Sequence, residues 1–328
     1  MEELTLPLFS NRYKIIQVIV FTIFLWVVLV GTAESHSYKL ISADNKYITI
    51  ENGDSLSSVF RKLSASTSDK LLLKTFLFLN NVDFIQAGHY SLVSKTWREF
   101  LFDIAEGRIK QFKIRIQEGS NLYELERLIQ ASPLELDCPN FKCLDQQFSF
   151  IEGTLMADTY FYKFNAPIST ILLESQDTFI DYAQSLWLSK NPSNPLKTLG
   201  DALILASIVE KEAGNDEEKG IIAGVFLHRL MLEMRLQADP TIIYGLLPSF
   251  NGNITKKNLQ DRSNIYNTYQ ISGLPPTPIS IISKSSLEAV ILGQPNEYLY
   301  FVAQGDGTHY FSRDYAEHLK AVRQHQLK

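Results

Sequence analysis

The chain has 328 residues, 45% of them hydrophobic and 20% charged, with a formal net charge of -5. That much apolar material can build a core and more than one domain, which excludes a disordered protein. The mixed, mildly acidic balance offers no basic field for phosphates and so excludes a nucleic-acid partner. The two cysteines have no neighbouring histidine, a poor zinc site, and neither a metal nor another cofactor is expected.

From Ile15 to Gly31 the sequence "IIQVIVFTIFLWVVLVG" carries no charge, and a helix of that length just crosses a hydrocarbon layer of roughly 30 Å. Arg12 and Lys14 precede it and, against a weak opposition from Glu2 and Glu3, orient it by the positive-inside rule. The expectation is a cytoplasmic tail at 1–13, a single-pass anchor at 14–33 in the inner (cytoplasmic) membrane of a bacterium, and the bulk of the chain in the periplasm. A cleaved signal peptide is the alternative, because Gly31-Thr32-Ala33 has the small residues of a processing site. The length of the apolar run and Trp26 deep within it favour the uncleaved anchor.

After a linker at 34–44, Tyr47, Thr49 and Glu51 alternate with Ile48 and Ile50, a strand pattern, and Gly53-Asp54 opens a helix. "IENGDSLSSVFRKL" at Ile50 returns as "IQEGSNLYELERLI" at Ile116, so a strand-Gly-helix unit is used twice, too few copies for a solenoid. Between the copies, "LLLKTFLFLNN" is predicted as a buried helix, "AGHYSLV" as a turn into a strand, and "TWREFLFDIAEG" as a helix closed by Gly107. Strand, helix, helix, strand over 45–112 resembles a LysM-like module, a fold that implies binding of N-acetylglucosamine-containing glycans. A plain spacer has the same pattern, since fold alone does not carry function.

Residues 113–328 are expected to form a larger α+β domain, making the whole α+β with one transmembrane helix. Cys138 and Cys143 in "CPNFKC" can form a small structural disulfide outside the cytoplasm. A helix follows from Thr170 to Trp187, and "SKNPSNP" is a loop. In "TLGDALILASIVEKEAG", Thr198 and Asp201 make a capping-box start and Gly214 a natural stop, which predicts a helix over 199–213. At about 100° per residue, Glu212 falls within the stripe of Ile204, Leu205, Ile208 and Val209, and Glu210 lies roughly opposite. A carboxylate in an inward stripe at a helix C-terminus loses solvation and meets the negative end of the dipole, and both effects favour the protonated form that a general acid needs.

The blocks that follow are "SIVEKE", "VFLHRL", "MRLQADPTIIYG", "YNTY", "GLPPTPI" and "YLYFV", then His309 and Phe311. In order and spacing they resemble the endolytic murein transglycosylases, the YceG-like or MltG family. The resemblance implies that Glu212 is catalytic, the residue the helical wheel also selects. It would protonate the oxygen between N-acetylmuramic acid and N-acetylglucosamine, and the muramoyl C6 hydroxyl would close a 1,6-anhydro ring. Glu210 is expected to pack or pair at the helix end. Asp239-Pro240 has the form of a helix N-cap with proline following, although Asp239 as a second carboxylate would make the protein a muramidase-type hydrolase. Gln237, Asp239, Thr241 and Tyr244 are expected around the cleft. Tyr266, Asn267, Thr268 and Tyr269 offer donors and ring faces to sugars, or form core. In "YLYFVA" the alternating residues read mostly as core sheet. His228, Thr277 and the missing proline before "YNTY" depart from the family pattern and touch only cleft details. The implied partners are peptidoglycan glycan strands and penicillin-binding proteins or other cell-wall synthases. A non-catalytic murein-binding scaffold is the competing class.

Overall fold

The computed structural model describes residues 8–250 and 252–325, and residues 1–7 of the expected tail lie outside the described residues. The chain mixes helix and strand as expected and divides into two compact units, one up to Phe112 and the other from Lys113.

The first unit contains α1 (Leu8–Ser37), β1 (Tyr47–Ile50), α2 (Leu56–Lys62), α3 (Thr67–Leu79), β2 (Gly88–Ser91) and α4 (Trp97–Glu106). β1 and β2 pair antiparallel, Tyr47 opposite Ser91 and Ile50 opposite Gly88, with Ile48 and Ile50 turned into the core. There they meet Val59, Phe60, Leu73, Phe76, Tyr90 and Phe100, all fully buried. Each full burial of such a side chain is worth about 1.5–3 kcal/mol. The helices start where the sequence supplies caps: Ser66 with Asp69 for α3, and Thr96 with Glu99 for α4. Gly107 closes α4 at φ 70°, in the left-handed region.

Among the described residues, one helix is long and apolar enough to cross a membrane, at Tyr13–Ser37 with a mean hydropathy of 2.6. Phe21 and Trp26 on it stand more than half exposed. Its far end differs from the expected linker at 34–44. α1 continues to Ser37, and its small side chains at Ala33 and Ser37 are fully buried. Glu34 meets Arg98 at 2.6 Å, His36 lies 2.9 Å from Asp69, and the Ile41 N–H bonds to the Lys95 carbonyl at 2.9 Å. The small-residue sequence that resembled a processing site therefore lies inside a helix whose end packs into the unit.

The boundary between units falls within β3 (Gln111–Ile116), which leads into α5 (Leu122–Gln130). The repeat is visible in three dimensions: β1 and β3 each turn at a glycine of positive φ, Gly53 at 90° and Gly119 at 71°, into a helix capped by Ser55 or Asn121. β4 (Asp158–Lys163) pairs with β3. Cys138 and Cys143 form a disulfide. α6 (Ile168–Trp187), α7 (Leu199–Glu212), α8 (Asp216–Met231), α9 (Asp239–Gly245), α10 (Lys256–Gln260) and α11 (Lys284–Ile291) follow. The antiparallel hairpin of β5 (Tyr300–Ala303) and β6 (His309–Ser312) precedes α12 (Tyr315–His325).

α7 is the axis of this unit. Thr198 and Asp201 form the expected capping box, and every residue from Ala202 to Val209 is buried. The helix is apolar on all sides because α8, α11 and the segment around Ile279–Ile282 cover it. Its one buried hydroxyl is satisfied: Ser207 Oγ donates to the Ile204 carbonyl at 2.7 Å and accepts from the Ile279 N–H at 2.9 Å.

Gly214 does not end α7 in the way the sequence suggests. The helix leaves through Ala213 in an extended conformation (φ -72°, ψ 127°). Gly214 is required for closeness instead, since a Cβ there would sit 2.4 Å from the Gly307 carbonyl oxygen in the β5–β6 turn. Gly214→Ala is expected to displace that turn and lower the stability of the unit by about 1–3 kcal/mol. Chemical unfolding followed by tryptophan fluorescence measures this; an unchanged midpoint would contradict the close approach.

Candidate active site

Glu212 occupies the last turn of α7 and lines a cavity of about 540 Å³ in the second unit. The apolar body of α7 carries its carboxyl out of water, and burial pushes its pKa up to about 8. The negative charge of Asp239 acts in the same direction, and the Arg229 guanidinium opposes both. Glu212 therefore holds its proton at neutral pH, the state a general acid requires.

Glu210, two residues earlier, has the opposite surroundings. Its Oε2 accepts from the Ser283 N–H at 3.2 Å, the Ser286 hydroxyl at 2.5 Å and the Ser283 hydroxyl, and it lies 3.3 Å from Lys219 Nζ. With both side chains under a tenth exposed, this is a buried, fully bonded ion pair. It pairs as expected, although it is far from being a solvated helix-end residue.

Asp239 is a correction. It does not cap α9: the N-cap is Ala238, without a side-chain bond, and Asp239 and Pro240 are the first helical residues. Its carboxylate is exposed to the cavity, where Tyr269 donates to it at 2.7 Å. Burial, together with that bond, raises the pKa of the tyrosine hydroxyl. The chain enters the helix one residue earlier than the Asp-Pro pattern implies, because Thr268 fixes the preceding turn. Its Oγ accepts from the Ala238 N–H at 2.9 Å and its carbonyl accepts from the Gln237 N–H at 3.2 Å. Gln237 is held at φ 51°, a left-handed conformation that costs a non-glycine residue roughly 1–2 kcal/mol. This turn brings Gln237 and Asp239 to the cavity wall.

The other expected contacts divide. Thr241 and Thr268 are fully buried and share a hydrogen bond of 2.8 Å, so they support the turn and do not reach the cavity. Asn267 is also buried, its amide donating to the Asn258 and Asp261 carbonyls at 3.0 and 2.8 Å. Tyr266 packs edge-on to Tyr244, 4.9 Å between ring centres, and its hydroxyl meets Thr277 at 2.8 Å. Tyr244 lines a separate hollow of about 650 Å³ with Tyr123 and Phe250, and donates to Glu152 at 2.9 Å. Burial raises Glu152 to about 7. Of the residues selected from sequence, Glu212, Gln237, Asp239 and Tyr269 share the cavity.

Several residues of the cavity were not anticipated. Arg229, buried on α8, donates to the Leu299 carbonyl at 2.7 Å and the Leu236 carbonyl at 2.6 Å, with its guanidinium 5.3 Å over the Tyr300 ring. Tyr300 lines the cavity and stacks on His318, 5.1 Å between centres. Burial, with Arg229 nearby, holds His318 below its ordinary range. A four-residue strand is too short for alternation to separate core from cleft, and α12 carries no motif. Arg229 of "VFLHRL" and His309 belong to motif blocks whose spacing along the chain does not fix their place in space.

A carboxyl raised by burial carries a defined stability signature. Below its unfolded value near 4.5 the native state gains fully from the proton; that contribution is lost as pH rises through about 8. Relative to Glu212→Gln, the wild-type chain should lose up to about 1.4 kcal/mol per pH unit across that window. Paired denaturation curves from pH 5 to 9 measure the difference; parallel curves would place the carboxyl in water.

The family model of the YceG-like family matches residues 48–324. The endolytic murein transglycosylase of Bacillus subtilis (strain 168) is 33% identical over 177 residues, 52% of this chain and 47% of that protein. That of Streptococcus pneumoniae (strain R6) is 32% identical over 179 residues, 53% of this chain and 32% of its own length. The chain thus aligns with less than half the length of these curated relatives. The crystal structure of a YceG-like protein from Listeria monocytogenes superposes with a TM-score of 0.56 at 28% identity, covering 84% of this chain and 97% of that one. A match over most of the sequence, supported by the fold, establishes that this chain belongs to the YceG-like family.

Proposed function

We propose that this chain is a membrane-anchored lytic transglycosylase that cuts peptidoglycan glycan strands between N-acetylmuramic acid and N-acetylglucosamine. The observation that carries the reading is a carboxyl, Glu212, that burial pushes toward its protonated form in an open cavity of a protein whose relatives are named endolytic murein transglycosylase. Glu212 donates its proton to the bridging oxygen as the C1–O bond breaks, and the sugar passes through an oxocarbenium-like state. The muramoyl C6 hydroxyl then closes on C1, the ionised Glu212 takes up its proton, and a 1,6-anhydro end results. An attacking group within the same sugar gains from proximity and needs no second carboxylate.

The helix at Tyr13–Ser37 supports a single-pass anchor in the inner membrane with both units periplasmic, where the enzyme would limit the length of nascent strands. The strand-helix-helix-strand order of the first unit supports a LysM-like role in holding N-acetylglucosamine-containing glycan. Penicillin-binding proteins and other cell-wall synthases are the partners this placement suggests.

The position of Asp239 in the cavity favours one second reading, a muramidase in which Asp239 activates water. The products separate the two. Sacculi digested with the wild-type chain should yield anhydro ends, and Glu212→Gln should lower their formation by at least about 10²-fold, within the range general acids contribute. Asp239→Asn should still give anhydro ends. Because it removes a negative charge that raises Glu212, it should also move the alkaline limb of the pH profile to lower pH. Reducing ends from the wild type, lost in Asp239→Asn, would establish the hydrolase instead.

A further inference from the structure

Glu212 is not alone in its cavity in being able to exchange hydrogen bonds with a sugar. His309, at the start of β6, lines the same wall. Its Nδ1 lies 2.8 Å from Glu218 Oε2, and its backbone N–H donates to Glu218 Oε1 at 2.8 Å, so one carboxylate grips the residue twice. Both side chains are 12% exposed. Glu218 sits in the first turn of α8. An imidazole with a single hydrogen places it on Nδ1 against that carboxylate, which leaves Nε2 as an acceptor. No described residue bonds to Nε2, and the ring stands edge-on to Phe301, 5.4 Å between centres at 90°. A histidine oriented by a carboxylate, with its other nitrogen unbonded on the wall of a general acid's cavity, is arranged to receive a hydroxyl hydrogen from a substrate.

We propose that His309 contacts the substrate and accepts, through Nε2, the hydrogen bond of the muramoyl C6 hydroxyl, holding its oxygen in line with C1. The inference rests on the transglycosylase reading and deepens it. The bond from C1 to the leaving oxygen breaks, the bond from the C6 oxygen to C1 forms, and the hydroxyl proton passes along its hydrogen bond to Nε2 and, by exchange with water in the cavity, replaces the one Glu212 gave. Nothing is oxidised or reduced. His309 orients the attacking group and is the first to receive its proton, and Glu212 supplies the proton of the leaving oxygen.

A purely structural role, tying β6 to α8, makes the opposite prediction for two conservative variants. The amide nitrogen of His309→Asn falls near Nδ1, which keeps the clamp to Glu218 and removes the acceptor. The amide of His309→Gln reaches the position of Nε2, which keeps an acceptor and weakens the clamp. The full-length chain in detergent, acting on purified glycan strands, is assayed for kcat, KM and thermal midpoint, with Glu212→Gln as the control. The expected result is a kcat about 10²-fold lower for His309→Asn, typical of lost orientation, at wild-type KM and midpoint. His309→Gln should recover part of the rate despite a lower midpoint. Wild-type kcat in His309→Asn with His309→Gln the poorer enzyme overturns the inference and leaves the role of Glu212 standing. A wild-type chain that forms no anhydro ends, with or without Glu212, overturns the inference together with the reading beneath it.

Discussion

A carboxyl group cannot be taken out of water cheaply as an anion, and α7 is built to take one out of water. Its residues from Ala202 to Val209 are buried on every side, so its last turn emerges from apolar packing and not from a solvated face. Glu212 inherits that environment and keeps its proton.

The rest of the second unit arranges itself around that turn. Glu210 would bring an unpaired charge into the same packing, and Lys219 with three hydrogen bonds from Ser283 and Ser286 pairs it. The buried threonines Thr241 and Thr268 hold the left-handed turn at Gln237, and through it Asp239 faces the cavity. Arg229, anchored on two carbonyls, limits how far Asp239 can raise Glu212. At the other wall the hairpin of β5 and β6 comes close enough that residue 214 must lack a side chain.

The features legible in the sequence were those set by local chemistry. The Thr198–Asp201 box, the paired turns at Gly53 and Gly119, and the stripe position of Glu212 each depend on neighbours a few residues away, and each has the expected geometry. What failed depended on distant partners. Asp239 matched an N-cap by its neighbour Pro240, but the turn is set by Thr268, about thirty residues later. Thr241, Asn267 and Thr268 have the polar groups of a sugar site, and only their burial shows that they bond to the chain itself. Tyr300 and His318 could not be distinguished from core until β5 and α12 were placed beside α8. Of the small residues at the end of the apolar helix that suggested cleavage, Ala33 is fully buried within the first unit, whereas Gly31 and Thr32 are exposed.

The central claim is that Glu212 holds a proton at neutral pH in its resting cavity. Carbon-13 labelling of the glutamate side-chain carboxyls, with NMR titration of the wild-type chain and of Glu212→Gln to assign the missing signal, measures that directly. The account predicts a Glu212 midpoint near 8, reflecting burial and the charge of Asp239. A midpoint at the ordinary glutamate value near 4.5 would contradict it, because Glu212 would then be an anion at the pH where it must donate.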